Sequence, residues 1–170
     1  MFDLLKSLLE GKEPDGTYVG VKLSKDSMKK LSELQKAIDV PNPLDPEKMH
    51  ITVIYSRKHL PDFKAKGKLE KPIKAKLDEL DIFPSRDDKN VLVVKLKTPE
   101  LTKRHKEIMK EHGATYDWDE YKPHVTLSYD VGDFDPKAHN LKDHLNEIEI
   151  VEEYDEDLKL DWLVNKDKDG

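Results

Sequence analysis

Two short stretches of the chain carry the same pattern. "MHITVIYS" (49–56) and "PHVTLSY" (123–129) each embed a His-x-Thr in a run of apolar and β-branched residues, the composition of a strand. Successive side chains of a strand point to opposite faces. His50 and Thr52 therefore emerge side by side on one face, as do His124 and Thr126, while Ile51 and Val125 point into an opposite, apolar one. A lone strand histidine is more often a satisfied core or edge residue than a functional one. Two of them, each in an apolar strand and each in its own half of the chain, ask for a fold that gathers two histidines and two threonines around one point.

The surrounding elements supply such a fold. "GTYVGVKL" (16–23) alternates and reads as a strand. A helix follows from Ser24, with Met28, Leu31, Leu34, Gln35 and Ile38 at helical spacing and Ser24 or Ser27 as its cap. "DVPNPLDPEK" is a loop, and the first His-x-Thr strand comes next. "LEKPIKAKLDELDIF" (69–83) reads as a long strand or a bent strand pair, with Pro72 placing its start at a sheet edge. "VLVVKL" (91–96) is a strand. A second helix is capped by Thr98, opened by Pro99 and stopped by Gly113, with Leu101, His105, Ile108 and His112 on one face. The second His-x-Thr strand follows, and "NEIEIVEEY" and "DLKLDW" read as late strands. A helix thus precedes each His-x-Thr strand. This duplication of elements predicts an α+β architecture of two small lobes, each a helix on an antiparallel sheet.

Composition narrows the partners. The chain has 170 residues, of which 39% are charged and 36% hydrophobic, and its formal net charge is −6. That balance argues against a dedicated binder of long nucleic acid, which needs a basic face. Between Arg57 and Lys76, however, eight Lys/Arg stand against Asp62 and Glu70. This run is either a solvated face or a lure for a small anion. There is no cysteine, so disulfides and thiolate metal sites are excluded, which suits a reducing cytosol. No apolar stretch approaches the ~20 residues that span a bilayer. The N-terminal "MFDLLKSLLEGKEP" lacks the basic and cleavage regions of a signal peptide and reads as a short appended helix ending near Gly11, with Pro14 beyond, in a helical extension over residues 1–15.

Two imidazoles can divide the work of general base and general acid, because histidine titrates near pH 6.5. Threonine hydroxyls can hold phosphoryl oxygens as charge builds on them. Carboxylates at matching positions, which a metal site would need, are missing, so neither metal nor cofactor is expected. The two tryptophans, Trp118 and Trp162, stand beside acidic residues. Each is either half-buried packing or a stacking platform for a base. Tyr18 faces away from Val19 and Val21, and His59, His105, His112, His139 and His144 read as surface or packing residues.

With His50-Ile51-Thr52-Val53 and His124-Val125-Thr126-Leu127 both intact, the chain resembles the two-histidine (2H) phosphoesterase superfamily, defined by two H-x-[ST]-hydrophobic motifs on a bilobal fold. The resemblance implies a central cleft between interleaved lobes over residues 16–164, followed by a disordered tail over 165–170. "GTYVGVKL", "YKPHVTLSY" and "EDLKLDW" further resemble the phage-encoded anti-CBASS nucleases, which degrade the cyclic oligonucleotide signals of bacterial antiviral defence. That resemblance implies catalysis by His50, Thr52, His124 and Thr126 on a cyclic oligonucleotide, without metal, in the cytoplasm of an infected host. It puts base contacts at Tyr18, Glu156 and Trp162, with Glu152 and Glu153 competing for the place of Glu156. Other 2H activities stay open, namely opening of RNA 2′,3′-cyclic phosphates or cleavage of 2′,5′ linkages, as does a protein that only sequesters nucleotides.

Overall fold

The computed structural model describes residues 16–85, 87–116 and 120–158. The expected helix over 1–15, the tail and both tryptophans lie outside these residues. Within them the elements follow the predicted order: β1 (Gly16–Leu23), α1 (Lys25–Ala37), β2 (His50–Ser56), β3 (Gly67–Pro84), β4 (Asn90–Lys97), α2 (Pro99–His112), β5 (His124–Ser128) and β6 (Glu147–Leu158). The strands form one antiparallel sheet in the order β2-β1-β6-β3-β4-β5. The two lobes are its halves, β2-β1-β6 and β3-β4-β5, joined where β6 pairs with β3. The His-x-Thr strands are the outermost strands, β2 at one end and β5 at the other. The sheet curls until these two ends approach each other, without pairing.

Both motif strands depart from a regular ladder at the same place. In the β1–β2 register Val19 faces Ile54 and Gly20 faces Thr52, so Val53 is skipped. In the β4–β5 register Leu92 faces Ser128 and Val93 faces Thr126, so Leu127 is skipped. Each skipped residue is a β-bulge immediately after the motif threonine, and a bulged residue loses its ladder partner. The bulge also explains the apolar spacing. Ile51 and Ile54, three residues apart, pair with Val21 and Val19, and all four are buried.

The helices repair what the bulges leave open. The Nδ1–H of His105 on α2 donates to the Val53 carbonyl at 2.7 Å. The side-chain amide of Gln35 on α1 donates to the Leu127 carbonyl at 2.9 Å and to the Leu44 carbonyl at 3.0 Å. Each helix therefore serves the motif strand of the other half, which is how the lobes interleave. The Leu127 carbonyl also accepts from the Leu44 amide at 2.8 Å, so the argument that a buried carbonyl without a donor costs about 1–3 kcal/mol applies to the contact between α2 and Val53.

Local expectations mostly hold. Ser24 caps α1, accepting from the Ser27 amide, and Leu31, Leu34 and Ile38 are buried. Gly113 ends α2 in the left-handed conformation at φ 64°. Pro72 falls in the interval between Lys68 and Ile73 where the β3–β6 register breaks, and β4 joins β3 only from Lys76 onward. A residue without an N–H therefore costs the ladder nothing there. Two expectations need correction. Thr98 makes no side-chain cap; its hydroxyl turns to the Glu100 carboxylate at 3.5 Å, and α2 starts on Pro99 alone. The late strands up to Leu158 are one strand, because β1 and β3 flank β6 and bridge the polar middle of its sequence.

Under α2, Arg104 donates twice to Glu153, with Nε and one terminal nitrogen each 2.9 Å from a carboxylate oxygen. The Lys66 amide donates to the same carboxylate at 3.1 Å. The side chains are 16% and 4% exposed. Glu153→Ala would strand the guanidinium in this setting, and the expected cost is about 3 kcal/mol. Chemical denaturation of the purified variant checks it; an unchanged midpoint would show that the pair contributes nothing to the fold.

Candidate active site

His50 and His124 are held in the same way. The Nδ1 of His50 lies 2.9 Å from the Lys48 carbonyl, and the Nδ1 of His124 lies 2.8 Å from the Lys122 carbonyl. In each case the acceptor is the residue two positions upstream, on the segment that leads into the strand. A carbonyl can only accept, so both rings carry a proton on Nδ1 and present Nε2 for chemistry. Burial, the largest influence on His124, lowers its pKa; the Lys122 carbonyl opposes this, and the nearness of His50 lowers it further. The two imidazoles thus sense one another across the gap between the ends of the sheet.

Register places further groups on the same face. Lys22 stands opposite His50, and Lys95 opposite His124. The Lys95 ammonium bonds to Glu79 at 2.6 Å and lies 3.4 Å from Asp81, and the hydrogen bond to Glu79 raises its pKa. Lys22 lies 3.7 Å from Glu152 and sits over the Tyr154 ring, 5.3 Å from its centre. Phe83 meets the His124 ring edge-on at 5.0 Å.

On β1 the Tyr18 hydroxyl lies 2.9 Å from the hydroxyl of Thr52, and its ring meets His50 edge-on at 6.1 Å. Tyr154 packs against Tyr18 at 6.1 Å. Both rings lie over Gly20. A Cβ there would stand 2.8 Å from the Tyr154 hydroxyl oxygen and 2.9 Å from a ring carbon of Tyr18, closer than van der Waals contact permits. Burial pushes the Tyr18 phenol well above its ordinary pKa. The backbone of Thr52 is held too, since the Tyr121 hydroxyl donates to its carbonyl at 2.7 Å, and Tyr121 stacks on His105 at 4.4 Å. Among the described residues no group of three or more His, Cys, Asp or Glu stands close enough to hold a metal ion.

Over residues 15–165 the sequence matches the family described as anti-CBASS protein Acb1. The chain belongs to that family. The Acb1 protein of Vibrio phage KVP40 is 39% identical over 155 residues, covering 91% of this chain and 95% of that one. The Acb1 protein of Enterobacteria phage T4 is 37% identical over 147 residues, covering 86% and 91%. Among solved structures the chain is similar to TT0787 of Thermus thermophilus, with a TM-score of 0.50, 19% identity and 82% of each chain covered. It is equally similar to E. coli LigT complexed with ATP, with a TM-score of 0.50, 14% identity and coverage of 85% and 87%. At such identities the likeness is one of fold, and that fold is the 2H phosphoesterase fold.

In this Acb1-family chain the four motif residues come from the two outer strands, and Tyr18 reaches Thr52 and His50 from β1. Glu156 is the register partner of Tyr18 and shares its face. Glu153 faces the helices instead, as the partner of Val21, and Glu152 pairs with Lys22. Trp162 lies outside the described residues. Sequence reasoning did not single out Gly20, Tyr154, Lys22 or Lys95. Tyr154 and Glu156 share a face by simple alternation, which was a usable signal, but the lysines gain meaning only through strand register. His105 was expected to be a surface or packing residue. It packs, and it also serves the Val53 carbonyl.

Burial lowers the pKa of His105 as it does that of His124. The folded values lie below the unfolded one of about 6.5, so acid protonates the unfolded chain first. The stability these two histidines contribute is full above about pH 6.5 and is lost as pH falls toward the folded values. His105→Gln keeps a donor for Val53 and removes the titration. Between about pH 7.5 and 5.5 this variant should lose less stability than the wild type in denaturation series, and equal losses would refute the assignment to His105.

Proposed function

We propose that the protein is a phosphodiesterase that opens 3′,5′ linkages of small cyclic oligonucleotides and so silences the CBASS antiviral signal in the cytoplasm of an infected bacterium. Membership in the anti-CBASS family supports the biological setting, and the 2H fold supports phosphoester chemistry. The observation that carries the mechanism is the matched tether of the two histidines, which leaves each with Nε2 as its reactive nitrogen. One imidazole, neutral, takes the proton from the ribose 2′-hydroxyl. The freed oxygen attacks phosphorus, and the bond from phosphorus to the 5′-oxygen breaks. The other imidazole, charged, gives its proton to that leaving oxygen. The products are a 2′,3′-cyclic phosphate and a 5′-hydroxyl, and the two histidines have exchanged protonation states. Thr52 and Thr126 donate to the non-bridging oxygens as negative charge gathers there.

Base recognition falls to Tyr18, Glu156 and Trp162, because the histidines and threonines meet only ribose and phosphate, which all RNA shares. Stacking tolerates salt, whereas long polyanions depend on many phosphate contacts that a chain of net charge −6 disfavours. Trp162→Ala is expected to weaken a nonhydrolysable cyclic oligonucleotide by about 1–3 kcal/mol in calorimetric titration. Equal affinities would remove Trp162 from the site.

The mechanism is tested by incubating the purified protein in excess EDTA with a panel of cyclic di- and trinucleotides and linear RNAs, and resolving the products. Turnover should far exceed one equivalent, and His50→Ala and His124→Ala should each lose at least about 10²-fold in rate. A substrate with hydrogen in place of the scissile 2′-hydroxyl should bind without reacting. Cleavage of that analogue at a normal rate, or loss of activity to the chelator with restoration by a divalent metal, would overturn the mechanism.

A further inference from the structure

The two halves of the site repeat one another down to the bulge after each threonine, yet they differ at the threonines themselves. Thr52 is opposed by Gly20, and the space above that glycine is filled by Tyr18 and Tyr154, which brings the Tyr18 hydroxyl to 2.9 Å from Thr52 Oγ1. Thr126 is opposed by Val93, whose side chain has no polar atom to offer. Among the described residues the Thr126 hydroxyl has no hydrogen-bond partner. A hydroxyl rotates about its C–O bond unless a partner fixes it.

We propose that Tyr18 is a positioning residue that locks the hydroxyl of Thr52, so that the two motif threonines are not equivalent. The Tyr18 hydroxyl bonds to the hydroxyls of both Thr52 and Tyr154. In the proposed arrangement the Tyr154 O–H donates to Tyr18 and the Tyr18 O–H donates to Thr52 Oγ1, which turns the Thr52 proton toward the cleft that His50 faces. Thr52 is then a preset donor to one phosphoryl oxygen, while Thr126 orients only when substrate arrives. The surroundings fit this division. The Thr52 backbone is already held through its carbonyl by Tyr121. The Tyr18 ring is braced between Tyr154 and His50. Its burial keeps the phenol protonated, hence a donor, throughout the working range of the histidines. A Cβ at Gly20 would press on both rings, so the glycine leaves them room to pack as they do. The role differs from base stacking: it belongs to the hydroxyl, whereas stacking belongs to the ring, and one residue can do both.

The catalytic side of this inference rests on the phosphodiesterase reading; the lock itself does not. Tyr18→Phe keeps the ring and removes the hydroxyl. It is expected to lower kcat on a cyclic oligonucleotide about tenfold, the scale of one oriented hydrogen bond, while KM changes less than about threefold. The loss should vanish in a Thr52→Val background, where there is nothing left to lock, and persist in full in a Thr126→Val background. Wild-type kcat in Tyr18→Phe, or equal losses in both threonine backgrounds, would overturn the proposal. A second measurement needs no substrate. Proton NMR should show a slowly exchanging Tyr18 hydroxyl resonance that disappears in Tyr18→Phe, shifts in Thr52→Val and stays in place in Thr126→Val. A Tyr18 hydroxyl that exchanges freely, or is blind to Thr52→Val, would refute the lock even if the enzyme is active. A wild type that turns over no cyclic oligonucleotide would refute the phosphodiesterase reading and the catalytic role with it, leaving the NMR result to decide the lock.

Discussion

A bulged strand leaves one carbonyl outside the ladder, and much of this structure follows from how two such carbonyls are served. Val53 and Leu127 occupy the same place, one residue after the motif threonine. Each is answered by a polar side chain on a helix from the other half of the chain, His105 for Val53 and Gln35 for Leu127. The Leu127 carbonyl also accepts from the Leu44 amide, so the constraint is stronger on α2, which His105 holds against β2, than on α1, which Gln35 ties to β5. The arrangement that satisfies the carbonyls is the one that crosses the halves and holds both His-x-Thr strands in one body.

The face opposite the helices is built by a second local constraint. Gly20 is a residue without a side chain in the middle of a largely buried strand, which on strand propensity alone weakens β1. The vacancy is filled by tyrosines from the same strand and from β6. What β1 loses in propensity is offset by a pair of large rings that also define the wall of the site beside His50 and Thr52. A glycine that looks like a flaw in the strand pattern is the seat on which one side of the site rests.

The fold was legible in the sequence to the extent that it depends on local pattern. Alternation gave β1, apolar and β-branched runs gave β2, β4 and β5, and helical spacing with Ser24 and Gly113 gave the two helices; the motif repeat marked which two strands carry the His-x-Thr pairs. Pairing was not legible, because register is a property of two strands and neither one spells it. The bulges, the opposition of Lys22 to His50 and of Lys95 to His124, and the assignment of Glu153 to the helix face all belong to this class. Thr98 failed as a cap for a related reason. Its residue type was suitable, but a neighbouring carboxylate two positions on captured its hydroxyl.

The motif strands are the first and last of six, so no hydrogen-bond ladder sets the separation of the two histidines directly. The gap is the closing error of a chain of angles. Neighbouring strands turn relative to one another by about 20°, and five successive pairings accumulate a rotation of roughly 100° before the ends meet. A degree or two altered at any one seam is carried to the gap in full, and the broken register between β3 and β6 lies at the middle of that series. The geometry of the site is therefore stored across the whole width of the sheet, and residues far from either imidazole share in setting how far apart the two stand.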